Sequence, residues 1–271
     1  MAYNTNMLAD LHIHSKYSNH ALYSKNIVSS ESISSIYPRT EYYTEMPPLL
    51  SQLLIDGTSH IKDILLLAHK RGLKAIAITD HNTTVGNLEA QKMATNYDII
   101  VVPAMEISTL NGELLVYGIS TKIDKGLNVY DAIKQIHSQG GLAVAAHPFN
   151  IKHPNADFSR IDEELLIQLD LDGIEVFDQL RDRVDMHFLD LAKQKNLAVL
   201  GGSDAHLRYQ IGKGVTVLPD TCKIWEDLIT AIRNRETYAT GLPISKTRVA
   251  LDMLWCQTLG RFMISRRWFA E

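Results

Sequence analysis

Short apolar runs of β-forming residues alternate with stretches of helical period along most of this chain, and that alternation limits the folds open to it. Met7–Ile13, Lys74–Thr79, Asp98–Met105, Glu113–Ile119, Leu142–Ala146, Gly173–Phe177 and Leu197–Leu200 read as strands. Between them, Ile61–Lys70 sets Ile61, Ile64, Leu65 and Ala68 on one helical face, with Gly72 just past its end. Further helical stretches fall near Leu88–Ala94, Tyr130–Ser138, Asp162–Leu169, Arg183–Lys195 and Ile224–Arg235. Such alternation indicates βαβ units, a parallel sheet and an α/β class. Seven or more strands in about 230 residues suit a closed or nearly closed barrel. A doubly wound open sheet is the runner-up, but no GxGxxG turn follows the first strand.

The polar residues directly after these strands share one chemistry. His12 and His14 end the first strand, and residues two apart in a strand point to the same side. Asp80-His81 follows KAIAIT, Glu106 ends DIIVVPAM, His147 ends LAVAA, and Asp204 and His206 follow AVLGGS, again two apart. In a barrel these strand ends form one rim, where active sites gather. A single such histidine is usually a hydrogen-bonded core residue, but five strand ends with the same choice are not. Burying this many ionisable groups together is costly without a compensating cation. Mixed imidazole and carboxylate ligands suit Zn²⁺, Mn²⁺ or Fe²⁺. His60, His69, His137, His153 and His187 lie in helices or loops and read as structural or surface residues.

Composition narrows the function classes. A hydrophobic fraction of 45% and a charged fraction of 21% are those of a globular protein with a sizeable core. The net charge of −4, without a basic run before the last few residues, argues against a long nucleic acid as partner. Cys222 and Cys256 form no CxxC pair and no disulfide framework. No signal-peptide pattern and no apolar run long enough to span a bilayer is seen, so the expected compartment is the cytoplasm. Two segments break the rhythm. Ala21–Gly57, Ser- and Tyr-rich with Pro38, Pro47 and Pro48, reads as an insertion or lid after the first strand. Val249–Glu271 carries Leu251, Leu254, Trp255, Leu259, Phe262 and Met263 at helical spacing, and reads as a helical tail packed on the barrel or on a second subunit of a homo-oligomer. The expected division is thus a barrel domain over 1–248 and a tail over 249–271.

ADLHIHSKYS, AITDH, the Glu of VPAMEIS, AAHPF and GGSDAH, in that order, resemble the successive motifs of the PHP (polymerase and histidinol phosphatase) superfamily over about residues 7 to 241. The resemblance implies a distorted, TIM-like (βα)7 barrel with two or three divalent ions at the C-terminal strand ends. It implies hydrolysis of phosphate esters by a hydroxide held between metals. Carried over, a first ion is held by His12, His14, Glu106 and Asp204, a second by the bridging Glu106 with His147, and a third by His20, His81 and His206. Asp10 and Asp80 are expected to orient imidazoles behind the ligands. Glu106, Asp204, His206 and Asp80 are the expected catalytic groups, and Arg181, Arg183 and Arg208 are the candidates to hold phosphate.

One departure stands out. Members of the family usually carry a histidine within the stretch that here reads Gly112-Glu113-Leu114-Leu115-Val116-Tyr117-Gly118. Glu113 either substitutes as an oxygen ligand, favouring a harder ion such as Mn²⁺, or is an exposed strand-edge carboxylate. The leading expectation is a phosphatase or phosphodiesterase acting on a small phosphorylated metabolite or nucleotide. A nuclease or proofreading module is the first alternative, and a non-hydrolytic metal-binding barrel the second. An amidohydrolase-type barrel, which also begins with H-x-H, ranks lower because the TDH and GSDAH motifs match the PHP pattern.

Overall fold

The computed structural model describes residues 6–18, 57, 59–148, 161–178 and 183–241. His20, Arg181, Cys256, the Ala21–Gly57 insertion apart from Gly57, and the tail from Val249 lie outside the described residues. Twelve strands and six α-helices occur among the described residues. In chain order these are β1 (Asn6–Ile13), α1 (Ile61–Lys70), β2 (Ala75–Ile78), α2 (Val85–Met93), β3 (Ile100–Val101), β4 (Ala104–Thr109), β5 (Gly112–Tyr117), α3 (Val129–Ser138), β6 (Leu142–Ala145) and α4 (Glu163–Gln168). There follow β7 (Gly173–Glu175), β8 (Phe177–Asp178), β9 (Arg183–Val184), α5 (Met186–Gln194), β10 (Ala198–Leu200), β11 (Gly214–Pro219), α6 (Trp225–Arg233) and β12 (Tyr238–Gly241). None of the described helices is long and apolar enough to cross a membrane.

The helices start and stop where local chemistry dictates. Asn128 caps α3 by accepting from the Tyr130 N–H, and Asp185 caps α5 by accepting from His187 and Phe188. Gly72, at φ 73°, turns the chain out of α1, and the Leu73 N–H returns to the Ala68 carbonyl. The buried faces of α1 and α3 are Ile61, Ile64, Leu65, Ala68 and Val129, Ala132, Ile133, Ile136, the apolar stripes of their sequences.

The strands form two five-stranded sheets, ordered β12-β11-β1-β2-β3 and β10-β7-β6-β5-β4, with β8 and β9 as a separate pair. Both sheets are mixed, which corrects the expectation of a parallel one. β1–β2, β2–β3, β6–β7 and β7–β10 are parallel, whereas β1–β11, β11–β12, β4–β5 and β5–β6 are antiparallel. The β4–β5 turn is only Leu110-Asn111, closed by the Thr109–Gly112 pair, and so short a link cannot make the crossover that a parallel pair needs. The run Asp98–Met105 is two strands rather than one. Pro103, which has no N–H for a ladder, stands where the chain leaves the first sheet and enters the second. β11 and β12 lie outside the strands expected from sequence and extend the first sheet beyond β1.

Strand residues alternate between cores. Ala75, Ala77, Leu115, Tyr117, Leu142 and Val144 share a central cluster with Leu11 and Ala198, drawn from both sheets. Ile76 and Ile78 face α1 and α2, while Leu114, Val116, Ala143 and Ala145 face the helices of the second sheet. Burial on both faces explains why these strands read as continuous apolar runs. Among the described residues, two isolated backbone bridges form seams between the sheets. One is the bridge between His81 and Glu106, and the other the bridge between Ile13 and Ala205. Among the described residues, the expected metal-type residues other than His147 are the residues of these seams or their immediate neighbours.

Tyr117 ties the sheets together through the core, its hydroxyl donating to the Leu11 carbonyl at 2.9 Å. Tyr117→Phe is expected to lower stability by about 1–2 kcal/mol, read as a lower urea midpoint at unchanged slope. An unchanged midpoint would show that this bond contributes nothing net.

Candidate metal centre

The first seam closes β1 against the loop after β10: the His14 N–H donates to the Ala205 carbonyl at 3.0 Å, and the Ala205 N–H to the His12 carbonyl at 3.4 Å. Ile13 is thus paired with Ala205, which brings His12 and His14 against Asp204 and His206. At the second seam the Asn82 N–H donates to the Glu106 carbonyl at 2.7 Å, which sets His81 beside Glu106. His147, at the end of β6, completes the group. Asn82, His147 and Asp204 hold left-handed backbone with φ of 58°, 26° and 47°. Non-glycine residues adopt that region at a cost, and these three of the six such described residues stand at the centre.

The tightest part of the cluster is formed by His12 Nε2 and His14 Nε2, 3.1 Å apart. Glu106 Oε2 lies 3.3 and 3.2 Å from them, and Asp204 Oδ1 likewise 3.3 and 3.2 Å. These are two triangles sharing the His12–His14 edge. Ligand atoms around a tetrahedral ion at about 2.0–2.1 Å stand roughly 3.3 Å apart, which matches every side of both. The donor chemistry agrees. The Glu175 carboxylate takes His12 Nδ1 at 3.1 Å from each oxygen and, being an acceptor only, it assigns the proton to Nδ1. In the neutral ring Nε2 then offers a lone pair to the centre. His12, His14 and Glu106 therefore fit a divalent cation, as do His12, His14 and Asp204.

Other members surround this pair. His147 Nε2 lies 3.3 Å from Glu106 Oε1, and His81 Nδ1 3.4 Å from Glu106 Oε2. The His14 ring stacks on His81 and on His206 at centroid distances of 4.7 and 4.4 Å, and the three bring nitrogens within 4.8 Å of one another. His81 thus faces Glu106 as well as the side of His206, with which the resemblance groups it. Glu113 is part of the cluster rather than a strand-edge group, with its side chain 18% exposed beside His81 and His147.

Charge is arranged accordingly. Burial opposes charge on His12, yet Glu175, Asp204 and Glu106 outweigh it and hold the imidazole well above its usual value. Burial would raise the Glu106 carboxyl, but His81 and His12 pull it well below the carboxylate range. Asp204 is likewise lowered against its burial, by His12 and His206. Burial and the neighbouring Glu106 push Glu113 up to about 7. For His147 burial favours the neutral ring, but its contact with Glu106 and the charges around it raise it to about 9.

The supporting layer departs from expectation. The Asp10 carboxylate accepts from the Ser203 and Gly212 N–H groups at 3.0 and 2.6 Å, and burial pushes it up to about 6. Asp80 accepts from the Ser15 N–H at 2.5 Å and hydroxyl at 2.7 Å. Both brace the loops that carry ligands, whereas Glu175 takes the imidazole-orienting role. Glu175 also accepts from the His147 N–H at 3.0 Å, so one buried carboxylate supports two ligands. Its signal was present in the sequence: a lone acid in the apolar run GIEVF, at the same rim. A side chain at Gly202 would meet His12 Cβ at 2.3 Å and Glu175 Oε1 at 2.5 Å, so the glycine is required for this approach. Of the arginine candidates within the described residues, Arg183 is exposed on β9, and Arg208 lines a cavity of about 240 Å³ with Lys70, Arg71 and Tyr209, whose lining includes none of the metal-type side chains.

Two outcomes follow for the purified chain. Glu175→Gln is expected to weaken divalent-ion affinity roughly 10–100-fold, measured by calorimetric titration, and unchanged affinity would remove its positioning role. In chelated protein, the raised His147 contributes stability that is full below its unfolded value of 6.5 and lost as pH rises through about 9. The thermal midpoint should therefore fall between pH 7 and 9 more steeply than in His147→Gln, and parallel profiles would contradict the assignment.

A family model described as PHP-associated matches residues 188–237. The uncharacterized protein MJ1587 of Methanocaldococcus jannaschii is 33% identical over 171 residues, spanning 63% of this chain and 81% of that protein. Among solved structures, a two-domain Bacteroides vulgatus protein described as containing a predicted PHP-like metal-dependent phosphoesterase shares the fold at a TM-score of 0.64 and 19% identity. The match covers 88% of this chain but 65% of that one, so the chain spans under two thirds of its length. Endonuclease Q, solved in complex with a 27-mer duplex carrying an abasic lesion, matches at 0.50 and 14% identity, over 88% of this chain and 60% of that one. With the five ordered motifs, whose metal-type residues gather in one cluster, the PHP-associated match supports this chain's membership of the PHP superfamily.

Proposed function

We propose that this chain is a metal-dependent phosphoesterase, built as a distorted barrel closed through the two seams, with its ions held by His12, His14, His81, Glu106, His147, Asp204 and His206. The observation that carries the proposal is the buried convergence of His12 Nε2, His14 Nε2, Glu106 Oε2 and Asp204 Oδ1, with neighbouring contacts of 3.1–3.3 Å. Divalent ions there would supply an activated water and neutralise charge on the phosphoryl oxygens.

The protein's own part is positioning. His12, His14 and Glu106 have fully buried side chains and form the floor of the centre, while Asp204 and His206 are 23% and 33% exposed and form its rim. Substrate therefore approaches from the Asp204–His206 side. Glu175 keeps the His12 proton on Nδ1, and Asp10 and Asp80 fix the loops that carry Asp204 and His14. The net charge of −4 favours a small phosphorylated metabolite or nucleotide. The likeness to Endonuclease Q supports a second reading, a phosphodiesterase acting on nucleic acid.

The test combines metal content by mass spectrometry with hydrolysis of an aryl phosphate monoester, an aryl phosphate diester and an abasic-site duplex, with and without Mn²⁺ or Zn²⁺. We expect two or three ions per chain and metal-dependent turnover of an aryl ester. His14→Ala or Asp204→Ala should lower turnover by more than about a hundredfold, beyond the loss typical of a supporting group. Cleavage of the duplex alone would favour the second reading, and metal loading without turnover of any of the three would contradict both.

A further inference from the structure

Glu113 pairs with Ser108 across the β4–β5 ladder, and Glu106 with Leu115, so both carboxylates leave adjacent strands on the same face of the sheet. Each oxygen of Glu113 faces a different imidazole: Oε1 lies 3.5 Å from His81 Nδ1 and Oε2 3.8 Å from His147 Nε2. Glu106 straddles the same two rings, with Oε2 3.4 Å from His81 Nδ1 and Oε1 3.3 Å from His147 Nε2. The result is a ring of two carboxylates alternating with two imidazoles. N···O separations of 3.3–3.8 Å are long for charged hydrogen bonds. They suit donor atoms that face a shared ion, and His81, Glu106 and Glu113 bring ligand atoms within 4.8 Å of one another.

We propose that Glu113, with His81, His147 and the shared Glu106, forms a second cation seat whose additional carboxylate oxygens select a hard ion such as Mn²⁺ over Zn²⁺. The inference rests on the cluster being a metal centre and adds to it a ligand and a selectivity. The first seat presents single atoms at uniform spacing, as four-coordinate Zn²⁺ prefers. The second offers two nitrogens and as many as four oxygens, the higher-coordinate, oxygen-rich set that suits Mn²⁺. Mutual register explains why Glu113 reaches this place. Four residues bring the chain from Ser108 round the turn to its cross-strand partner, and the side chain of Glu113 then points where that of Glu106 does.

Equilibrium dialysis of the full chain against Mn²⁺ and Zn²⁺, read by mass spectrometry and by the electron paramagnetic resonance of bound Mn²⁺, tests the proposal without relying on turnover. In the wild-type chain two classes of site are expected. Glu113→Gln should weaken one class at least about tenfold and leave the other unchanged. Glu113→His should restore occupancy and shift the Mn²⁺-to-Zn²⁺ preference toward Zn²⁺ by about tenfold or more. The His variant reports independently if the Gln variant does not fold, as judged by circular dichroism. Both variants binding both ions as the wild type does would overturn the role of Glu113 and leave the metal centre standing. A wild-type chain that binds neither ion would overturn the inference together with the reading on which it rests.

Discussion

Imidazoles and carboxylates meet in the interior of this protein at two isolated backbone bridges between its sheets, and the fold and the site depend on each other through that coincidence. His81 pairs with Glu106 across one seam, and Ile13, flanked by His12 and His14, pairs with Ala205, flanked by Asp204 and His206, across the other. A strand end that carries backbone pairing and ligand side chains together has little freedom to adjust. Moving either seam by a residue would turn the ligands to the opposite face. The left-handed backbone at His147 and Asp204 is consistent with a site whose geometry is imposed by the surrounding structure.

A buried group of this kind is expensive unless its charges are matched. The carboxylates of Glu106 and Asp204 make ion-pair contacts with the surrounding histidines, and without a competing metal ion they favour the protonated rings of His12 and His147. Protons and divalent ions would compete for the same lone pairs, so the affinity of an ion bound there would weaken as the rings protonate. The exposure gradient from His12, His14 and Glu106 to Asp204 and His206 gives the centre a closed floor and an open rim. That is the arrangement a ligand entering from solvent requires.

Much of this was legible in the sequence because it depends on local pattern. The helix Ile61–Lys70 follows from the spacing of Ile61, Ile64, Leu65 and Ala68, and the placement of metal-type residues at strand ends from apolar runs that stop at His, Asp or Glu. Sheet direction was not legible, since antiparallel pairing of β4 and β5 depends on the two-residue turn at Leu110-Asn111, and that of β1 and β11 on a contact between chain regions far apart. Pro103 carried a signal that the surrounding run of Ile and Val obscured. Glu175 and the true setting of Glu113 needed the register of neighbouring strands, because sequence places a residue on a strand without saying which side chains from other strands it will meet. The alternation of strands and helices put the metal-type residues at strand ends, and tertiary pairing decided which of them share a neighbour.

The most direct test of the central claim, that the buried cluster is a cation site, is a crystal structure of the chain with Mn²⁺ bound, with anomalous scattering recorded. The account predicts an anomalous peak between His12, His14, Glu106 and Asp204, with Glu106 reaching toward a second ion near His147. Direct hydrogen bonds between protonated histidines and these carboxylates, with no anomalous peak among them at saturating Mn²⁺, would contradict it.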